Sequence, residues 1–236
     1  MAHSPNVTWQ QGCLARSRRW QATDGCGATI WFTGLPSSGK STFASLVERR
    51  LIDLGLSAYC LDGDNLRHGI CGDLGFTRDD REENVRRVGE LARLFADAGL
   101  VAIASLVSPY EAGRAEARES HERDGLPFIE VYVNTPLPVC QARDPKGLYA
   151  RALAGELPGF TGIDDPYEPP RCPDVEITHD IDPDLATESV LRALSARAPG
   201  IGQRIERAAA ARPAVLPIPH HGTSRPARAA AGGLED

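Results

Sequence analysis

Residues Gly34–Ser41, with the sequence GLPSSGKS, constrain the fold of this chain more than any other stretch. They match G-x-x-x-x-G-K-S, a phosphate-binding P-loop, which operates between a strand and a helix. The apolar run Ala28–Thr33 before the loop predicts a buried strand, and the apolar spacing after it predicts an amphipathic helix. The alternative is a Gly/Ser-rich surface turn, and this flanking context disfavours it.

The loop predicts how a nucleoside triphosphate is held. Its glycines allow successive backbone N–H groups to point at one anion, and the dipole of the following helix adds positive potential. We expect Lys40 to reach the β- and γ-phosphates and the Ser41 hydroxyl to ligate Mg²⁺. The predicted ATP-binding residues are Gly34, Leu35, Pro36, Ser37, Ser38, Gly39, Lys40, Ser41 and Thr42.

The composition narrows the possible classes of function. A chain of 236 residues with 42% hydrophobic residues fits one α/β domain with additional tails. Its formal net charge of −6 does not indicate a general nucleic-acid surface. No apolar run approaches the roughly 20 residues that span a bilayer, and residues 1–11 lack the apolar segment of a secretory signal. We therefore expect a cytoplasmic protein that binds neither nucleic acid nor a membrane.

Predicted strands and helices alternate along the chain. This alternation predicts an α/β fold with a parallel sheet that helices cover on both faces. Right-handed crossovers then place the carboxyl end of every strand at one edge of the sheet. The strands are predicted at residues 28–33, 57–61, 100–107, 128–133 and 174–178, and the principal later helices at 77–98, 111–123 and 183–197.

Polar side chains follow two of these strands at the ligand-binding edge. Asp62 and Asp64 follow the second strand, and Ser108 follows the third. One of the two carboxylates would hold Mg²⁺ or accept a proton from an attacking hydroxyl. The alternatives are an Asp/Asn/Gly turn and a serine that only caps the next helix. Convergence with the P-loop at one edge favours the functional interpretation.

Two further segments carry candidate polar groups. A capping box at Thr77–Asp80 opens a helix whose apolar stripe is prolonged by Arg81 and Asn84, and we expect these two to face a cleft unless they only solvate the first turn. Residues 141–171 carry four cationic side chains among many Gly and Pro residues, which is typical of a functional lid, with a solvated loop as the alternative. The lid cations that would neutralise charge on a phosphoryl group are Arg143, Lys146, Arg151 and Arg171.

The two ends of the chain differ from the region between them. Residues 1–27 are polar and irregular, and we expect Trp9 and Trp20 to dock on the domain. From residue 199 the composition shifts to Ala, Arg, Pro and Gly, with a short helix predicted at 205–211 and disorder beyond it. The predicted division is an extension over 1–27, a P-loop domain over 28–198 and a disordered tail over 199–236.

Several longer strings extend the P-loop pattern. They are FTGL (32–35), LDGDNLRHG (61–69), DLGF (73–76), DREEN (80–84), SPY (108–110), RDPKGLY (143–149) and GFTGIDDPY (159–167). Together they resemble the adenylyl-sulfate kinase (APS kinase) family over residues 6–196. One departure is Pro36-Ser37-Ser38, where the family loop commonly has Ser-Gly-Ser.

The resemblance implies a reaction and an assembly. It implies transfer of the γ-phosphoryl group of ATP to the 3′-hydroxyl of adenylyl sulfate, which gives ADP and 3′-phosphoadenylyl sulfate in sulfate assimilation. The implied fold is that of a P-loop kinase, with a five-stranded parallel sheet, helices on both faces and a basic lid. Mg²⁺ would accompany ATP, the enzyme would be a homodimer, and a separate ATP sulfurylase would act in the same pathway.

The resemblance also assigns catalytic roles to individual residues, namely Lys40, Asp62 and Ser108. Asp62 matches an acidic residue credited with organising Mg²⁺, together with Ser41, and with activating the 3′-hydroxyl. Ser108 matches a serine described in some members as a phosphoserine intermediate. Phosphoryl transfer needs in-line positioning and charge neutralisation without a covalent step, so Ser108 would serve as well by hydrogen bonding to the substrate.

For the acceptor, Phe76 and Phe160 match an aromatic pair that sandwiches the substrate adenine, at roughly 1–3 kcal/mol per ring–base contact. Lys146 matches a lid lysine near the phosphates. The alternative enzyme is another small-molecule P-loop kinase of nucleoside or gluconate type, which would need neither the aromatic pair nor a cationic pair. A non-catalytic regulatory subunit would have lost Lys40 or Asp62. The residues expected to bind adenylyl sulfate are Asp64, Arg67, Phe76, Arg81, Asn84, Lys146 and Phe160.

Overall fold

Five parallel strands form the centre of the computed structural model, which describes residues 8, 10, 12–22 and 25–211. Their order across the sheet is β2-β3-β1-β4-β5. The predicted α/β fold with a five-stranded parallel sheet is therefore confirmed. The strands are β1 (Ala28–Thr33), β2 (Ala58–Asp62), β3 (Val101–Ser105), β4 (Phe128–Asn134) and β5 (Val175–Thr178).

The register of the strands brings their carboxyl ends together. Asp62, the last residue of β2, lies opposite Ser105, the last residue of β3. Ser105 in turn lies opposite Phe32 of β1, two residues before the P-loop begins at Gly34. The P-loop and the Asp62 carboxylate therefore share one edge of the sheet, as the sequence predicts.

Helices cover both faces of the sheet. The principal ones are α2 (Lys40–Asp53), α4 (Arg78–Ala98), α5 (Glu111–Arg123) and α8 (Pro183–Arg197). Successive side chains of β1 point to opposite faces, so Phe32 packs in one cluster with residues of α2 and α8, and Trp31 packs in another with residues of α4 and α5. Both clusters are buried, which explains why β1 is a continuous apolar run. No helix among the residues described is long and apolar enough to cross a membrane.

The start and stop signals of α4 agree with the sequence. The Thr77 hydroxyl accepts a hydrogen bond from the Asp80 N–H at 3.2 Å, and the Asp80 carboxylate accepts one from the Thr77 N–H at 3.2 Å. This is the predicted capping box, with Asp in the place of the usual Glu. The helix ends at Gly99, whose φ of +102° a glycine adopts without strain.

Three short helices near the site were not expected from the sequence. They are α3 (Gly63–Leu66), α6 (Leu137–Arg143) and α7 (Leu148–Leu153). Helix α6 overlaps the start of the segment 141–171 that the sequence assigns to a lid, and α7 lies within that segment. Each is too short to present a long apolar stripe, so periodicity did not indicate it.

The amino-terminal extension is partly helical, which corrects the expectation of an irregular segment. Helix α1 spans Arg16–Ala22. The Trp20 indole donates a hydrogen bond to the Asp97 carbonyl at 3.0 Å, and Arg16 forms an ion pair with the Asp97 carboxylate at 2.6 Å. Trp20 thus docks on α4, whereas Trp9 lies outside the described residues.

The tail predicted to begin at residue 199 starts with a packed helix instead. Helix α9 spans Pro199–Ala211, six residues earlier than the predicted start at Ile205. Proline suits the first position of a helix, and Ile201 is fully buried in the same cluster as α8. This burial draws the segment into the domain despite its Ala- and Arg-rich composition. The predicted disorder of residues 212–236 lies outside the described residues.

His121 is a fully buried histidine beneath the sheet. Its Nδ1 lies 2.7 Å from the Ala117 carbonyl, which only accepts, so Nδ1 carries the proton. Its Nε2 lies 2.8 Å from the Thr29 hydroxyl and therefore accepts from it. Burial lowers the pKa of His121 below its usual value. The imidazole is consequently neutral in the folded protein.

We predict that protonation of His121 destabilises the protein as the pH falls below about 6.5, the ordinary pKa of an unfolded histidine. Below that value the unfolded state binds a proton that the folded state excludes, so the free energy of unfolding falls by up to about 1.4 kcal/mol per pH unit. Urea titrations between pH 7.5 and 5 measure this slope.

The variant His121→Gln tests the assignment, and His179→Gln, at an exposed position, serves as its control. We expect the slope to flatten in His121→Gln and to persist in His179→Gln. The same slope in wild type and His121→Gln would contradict the prediction.

Candidate nucleotide and acceptor site

The P-loop backbone requires glycine at two positions. Gly34 has a φ of +151°, and a Cβ there would lie 2.6 Å from the Val133 carbonyl oxygen. Gly39, just before α2, has a φ of +107°. Ser37 also lies in the left-handed region, at +61°, where a non-glycine residue is strained. This chain thus has a serine in the left-handed conformation at position 37, where the P-loop of the family it resembles commonly has glycine.

Lys40 is the first residue of α2 and is only 9% exposed. Its ammonium donates hydrogen bonds to the carbonyl oxygens of Gly34, at 3.0 Å, and Leu35, at 2.7 Å. Burial lowers the pKa of Lys40 to about 8. A buried cation at a helix amino terminus is well placed to stabilise a phosphate anion.

Ser41 and Asp62, the two predicted metal ligands, are in direct contact. The Ser41 hydroxyl donates to Asp62 Oδ2 at 2.8 Å, and Asp62 Oδ1 accepts from the Asp64 N–H at 3.0 Å. Magnesium binds through one or two protein oxygens plus waters and phosphates, so a hydroxyl beside a carboxylate fits it. No cluster of three or more His, Cys, Asp or Glu suited to a metal occurs in the described part of the chain.

Two guanidinium groups surround the ring of Phe76, which is 59% exposed. Arg67 lies 4.3 Å and Arg81 5.5 Å from the ring centroid. Burial and then the charge of Arg81 lower the pKa of Arg67. Two like charges in one place favour the binding of an anion between or beside them.

Arg81 joins the two aromatic segments that the sequence assigns to the acceptor. Its Nε donates to the Phe76 carbonyl at 3.1 Å, and its Nη2 donates to the Gly159 carbonyl at 2.7 Å. Gly159 immediately precedes Phe160, whose ring packs edge-on against Tyr149 at 5.0 Å. The structure therefore brings the Phe76 and Phe160 segments to one place although they are distant in sequence.

Asn84 lies one turn after Arg81 on α4 and is 6% exposed. Its Oδ1 is buried and has no hydrogen-bond partner among the described residues. A buried acceptor without a partner is rare in proteins, and a bound water or a ligand that supplies a donor would satisfy it. Asn84 is buried together with the apolar stripe of α4, as expected, and the cleft that it and Arg81 would face stays a prediction.

Ser108 occupies a strained turn after β3. Its φ is +40° and it is almost fully buried. Its hydroxyl accepts a hydrogen bond from the Trp31 indole at 3.1 Å, and its carbonyl accepts one from Arg114 at 2.7 Å. This burial favours a hydrogen-bonding or positioning role for Ser108 over attack on a phosphoryl group.

The four predicted lid cations divide into two pairs. Arg143 donates to the Ser38 carbonyl of the P-loop at 3.0 Å, and Lys146 pairs with Asp64. Arg151 and Arg171 instead pair with surface carboxylates, those of Glu156 and Glu111 respectively. The closing motion of a lid remains a prediction, and only Arg143 and Lys146 lie at the site.

Two residues without a predicted role hold the P-loop in place. The Tyr149 hydroxyl donates to the Pro36 carbonyl at 3.0 Å, and the Thr135 hydroxyl donates to the Ser38 carbonyl at 2.9 Å. Thr135 directly follows β4, so the rule that ligands bind at strand carboxyl ends contained a signal for it. Tyr149 lies within a family-like string, but its contact with the loop depends on the tertiary fold.

Comparison with known proteins identifies the family. The model of the family described as "Adenylylsulphate kinase" matches residues 26–178. The chain belongs to the adenylyl-sulfate kinase family. The match covers the P-loop, the predicted acceptor residues and the candidate lid, and it ends at the last residue of β5. The predicted family, and with it the class of ATP-dependent phosphotransferases, is confirmed.

Individual relatives agree with this assignment. The chain is 52% identical over 177 residues to an adenylyl-sulfate kinase of Enterobacter sp. (strain 638), covering 74% of this chain and 86% of that protein. It is 51% identical over 177 residues to adenylyl-sulfate kinase 3 of Arabidopsis thaliana, covering 75% of this chain and 84% of that protein.

The similarity extends to solved structures. An APS kinase of Mycobacterium tuberculosis in complex with AMPPNP and APS is 51% identical, with a TM-score of 0.71 over 72% of this chain and 99% of that one. A gluconokinase of Sinorhizobium meliloti is 17% identical with a TM-score of 0.51, which shows a shared fold alone. The comparisons thus favour adenylyl-sulfate kinase over the gluconate-type alternative.

We predict that Lys40→Ala and Asp62→Ala each lower kcat by roughly 10²–10³-fold, as removal of one preorganised charge-stabilising group does in other enzymes. The loss follows because Lys40 supplies the buried positive charge of the loop and Asp62 holds Ser41. Steady-state kinetics and thermal unfolding measure both effects.

The matched control is Arg151→Ala, which removes a lid cation that pairs with Glu156 on the surface. It should retain nearly full kcat. Near-normal turnover in Lys40→Ala or Asp62→Ala, with the protein folded, would refute the role assigned to that residue.

Proposed function

We propose that the protein transfers the γ-phosphoryl group of ATP to the 3′-hydroxyl of adenylyl sulfate, releasing ADP and 3′-phosphoadenylyl sulfate. The position of Arg81 carries the choice of acceptor. Its guanidinium donates hydrogen bonds to the Phe76 and Gly159 carbonyls, beside the edge of the sheet that holds the P-loop. An acceptor that carries both an adenine and an anionic sulfate matches an aromatic and cationic site.

ATP would bind through the backbone N–H groups of the P-loop and the Lys40 ammonium. Ser41 and Asp62 are the proposed ligands of Mg²⁺, which would supply positive charge to the phosphates when bound. The second role of Asp62 is to accept the proton of the attacking 3′-hydroxyl, since its carboxylate lies at the carboxyl end of β2 near the P-loop. Lys146 and Arg143 would add positive charge from the lid side.

The acceptor would be oriented by groups of three kinds. Phe76 and Phe160 would stack on the adenine, and Arg67 and Arg81 would bind the anionic part. Asn84 Oδ1 would accept a hydrogen bond from an amino or hydroxyl group, which adenine and ribose offer and a sulfate does not. In this arrangement Ser108 positions the acceptor without forming a covalent bond.

The remaining predictions concern assembly and context. We propose a homodimer that acts after a separate ATP sulfurylase in the cytoplasm. The apolar side chains of Tyr59 in β2 and Leu94 in α4 are 53% and 55% exposed and are available for a contact between protomers. A relative from Thiobacillus denitrificans, 28% identical with a TM-score of 0.56, is described as a hexameric APS kinase.

The proposed reaction predicts ADP release that depends on adenylyl sulfate. Purified protein with ATP and Mg²⁺ should release ADP rapidly with adenylyl sulfate and form its 3′-phosphorylated product. Adenosine, AMP and gluconate serve as control acceptors, and AMP isolates the contribution of the sulfate. Equal or faster turnover with any of them would overturn the proposed acceptor while leaving the phosphotransferase class intact.

Phe76→Ala should raise the KM for adenylyl sulfate roughly 5- to 150-fold, because one ring–base contact contributes about 1–3 kcal/mol. The KM for ATP should stay nearly constant, since Phe76 lies on the acceptor side with Arg67 and Arg81. Leu185→Ala, which removes an exposed apolar side chain on α8, is the control and should leave both KM values unchanged. An effect confined to the KM for ATP would refute the stacking assignment.

A further inference from the structure

Asp165 connects three segments around the acceptor site, and its side chain is only 15% exposed. Its Oδ1 accepts a hydrogen bond at 2.7 Å from the hydroxyl of Tyr110, which lies in the turn after β3. Its Oδ2 accepts one from the Thr161 hydroxyl at 2.9 Å, next to Phe160. The same Oδ2 lies 3.8 Å from Arg81 Nε on α4. One carboxylate thus links α4, the turn after β3 and the segment that carries Phe160.

Residues 159–165, here called the Phe160 loop, are closed on themselves. The Asp164 carboxylate accepts hydrogen bonds from the Gly159 and Phe160 N–H groups, both at 2.6 Å. The Gly162 N–H donates to the Asp165 carbonyl at 2.8 Å. These contacts fix the Phe160 backbone relative to its own loop, so the position of the ring depends on how the loop as a whole is attached.

The loop is attached to the domain at one end through the residues that follow it. The Glu168 N–H donates to the Pro109 carbonyl at 2.8 Å, and the Glu168 carboxylate accepts from the Glu111 N–H at 2.7 Å. Arg114, nearly fully buried, donates to the Glu168 carbonyl at 2.6 Å. These three hydrogen bonds fix Glu168 to the domain, and the Asp165–Tyr110 hydrogen bond extends this attachment toward the Phe160 loop.

The negative charge of Asp165 indicates the role of this attachment in the acceptor site. A carboxylate repels an anionic acceptor, so direct binding of the acceptor does not explain a buried negative charge here. It does attract the Arg81 guanidinium, which also donates to Phe76 and Gly159. The carboxylate therefore orients the group that holds the two aromatic segments together.

We propose that Asp165 is a positioning residue for the acceptor. It keeps Arg81 and the Phe160 loop in the orientation in which they receive adenylyl sulfate, and it acts through them without touching the acceptor. This inference rests on the proposed function for its kinetic consequence, while the attachment of the loop is a property of the ligand-free protein.

The kinetic test compares Asp165→Asn, Tyr110→Phe and the double variant with wild type. Asparagine keeps the size of the side chain but removes its charge, and phenylalanine keeps the ring but removes the hydroxyl. We expect Asp165→Asn to raise the KM for adenylyl sulfate about tenfold or more, with kcat and the KM for ATP changed less than about threefold. The double variant should be less impaired than the product of the two single effects, because both act on one contact.

The control is Glu156→Gln, the same change of chemistry at a carboxylate that pairs with Arg151 on the surface of the same segment. It should leave all three constants unchanged. A fall in kcat without a rise in the KM for adenylyl sulfate, or an effect of Glu156→Gln equal to that of Asp165→Asn, would overturn the proposal.

Amide hydrogen exchange tests the attachment independently of turnover. Without substrates, Asp165→Asn should exchange faster than wild type at residues 159–164 and equally at α4. Unchanged exchange in the loop would refute the attachment, whatever the acceptor is. Wild-type protein that fails to use adenylyl sulfate in the kinetic assay would instead refute the proposed function. If Asp165→Asn does not fold, Tyr110→Phe carries the same two measurements, with the same expected directions.

Discussion

Parallel pairing of β1 with β3 on one side and β4 on the other is the constraint on which the rest of the structure depends. It buries β1 on both faces, so helices must cover the sheet on both sides. It also brings the carboxyl ends of the strands to one edge of the sheet, where the P-loop follows β1, Asp62 ends β2 and Ser108 follows β3. Candidate catalytic groups that are distant in sequence thereby become neighbours, and Ser41 and Asp62 are in direct hydrogen-bond contact.

Much of the fold could be predicted because its signals are local. The P-loop fixes a strand and a helix, and the capping box Thr77–Asp80 with Gly99 sets both ends of α4. The helices at 111–123 and 183–197 have the predicted bounds. Helix α1 and the first six residues of α9 were missed because tertiary burial decides them: Trp20 docks on Asp97, and Ile201 enters the core of the domain. Composition alone does not reveal such contacts.

The candidate site divides in the same way between what sequence indicates and what only packing reveals. Motif position assigned residues one at a time, whereas the structure supplies their partners: Ser41 with Asp62, and Arg81 with the Phe76 and Gly159 carbonyls. Ser108 illustrates the difference: its place after a strand predicts a role in the site, and only the structure shows that its hydroxyl accepts a hydrogen bond from the Trp31 indole. When the partner of a side chain lies more than 50 residues away along the chain, one sequence does not reveal that partner.

The central claim is that one cleft holds the acceptor adenine between the Phe76 and Phe160 rings while the P-loop holds ATP. A crystal structure of the protein with AMPPNP, Mg²⁺ and adenylyl sulfate is the most direct measurement. The account predicts the acceptor adenine between these two rings, with Asn84 Oδ1 hydrogen-bonded to the ligand and the 3′-hydroxyl directed at the γ-phosphate. An adenine bound elsewhere, with Asn84 Oδ1 still without a partner, would contradict it.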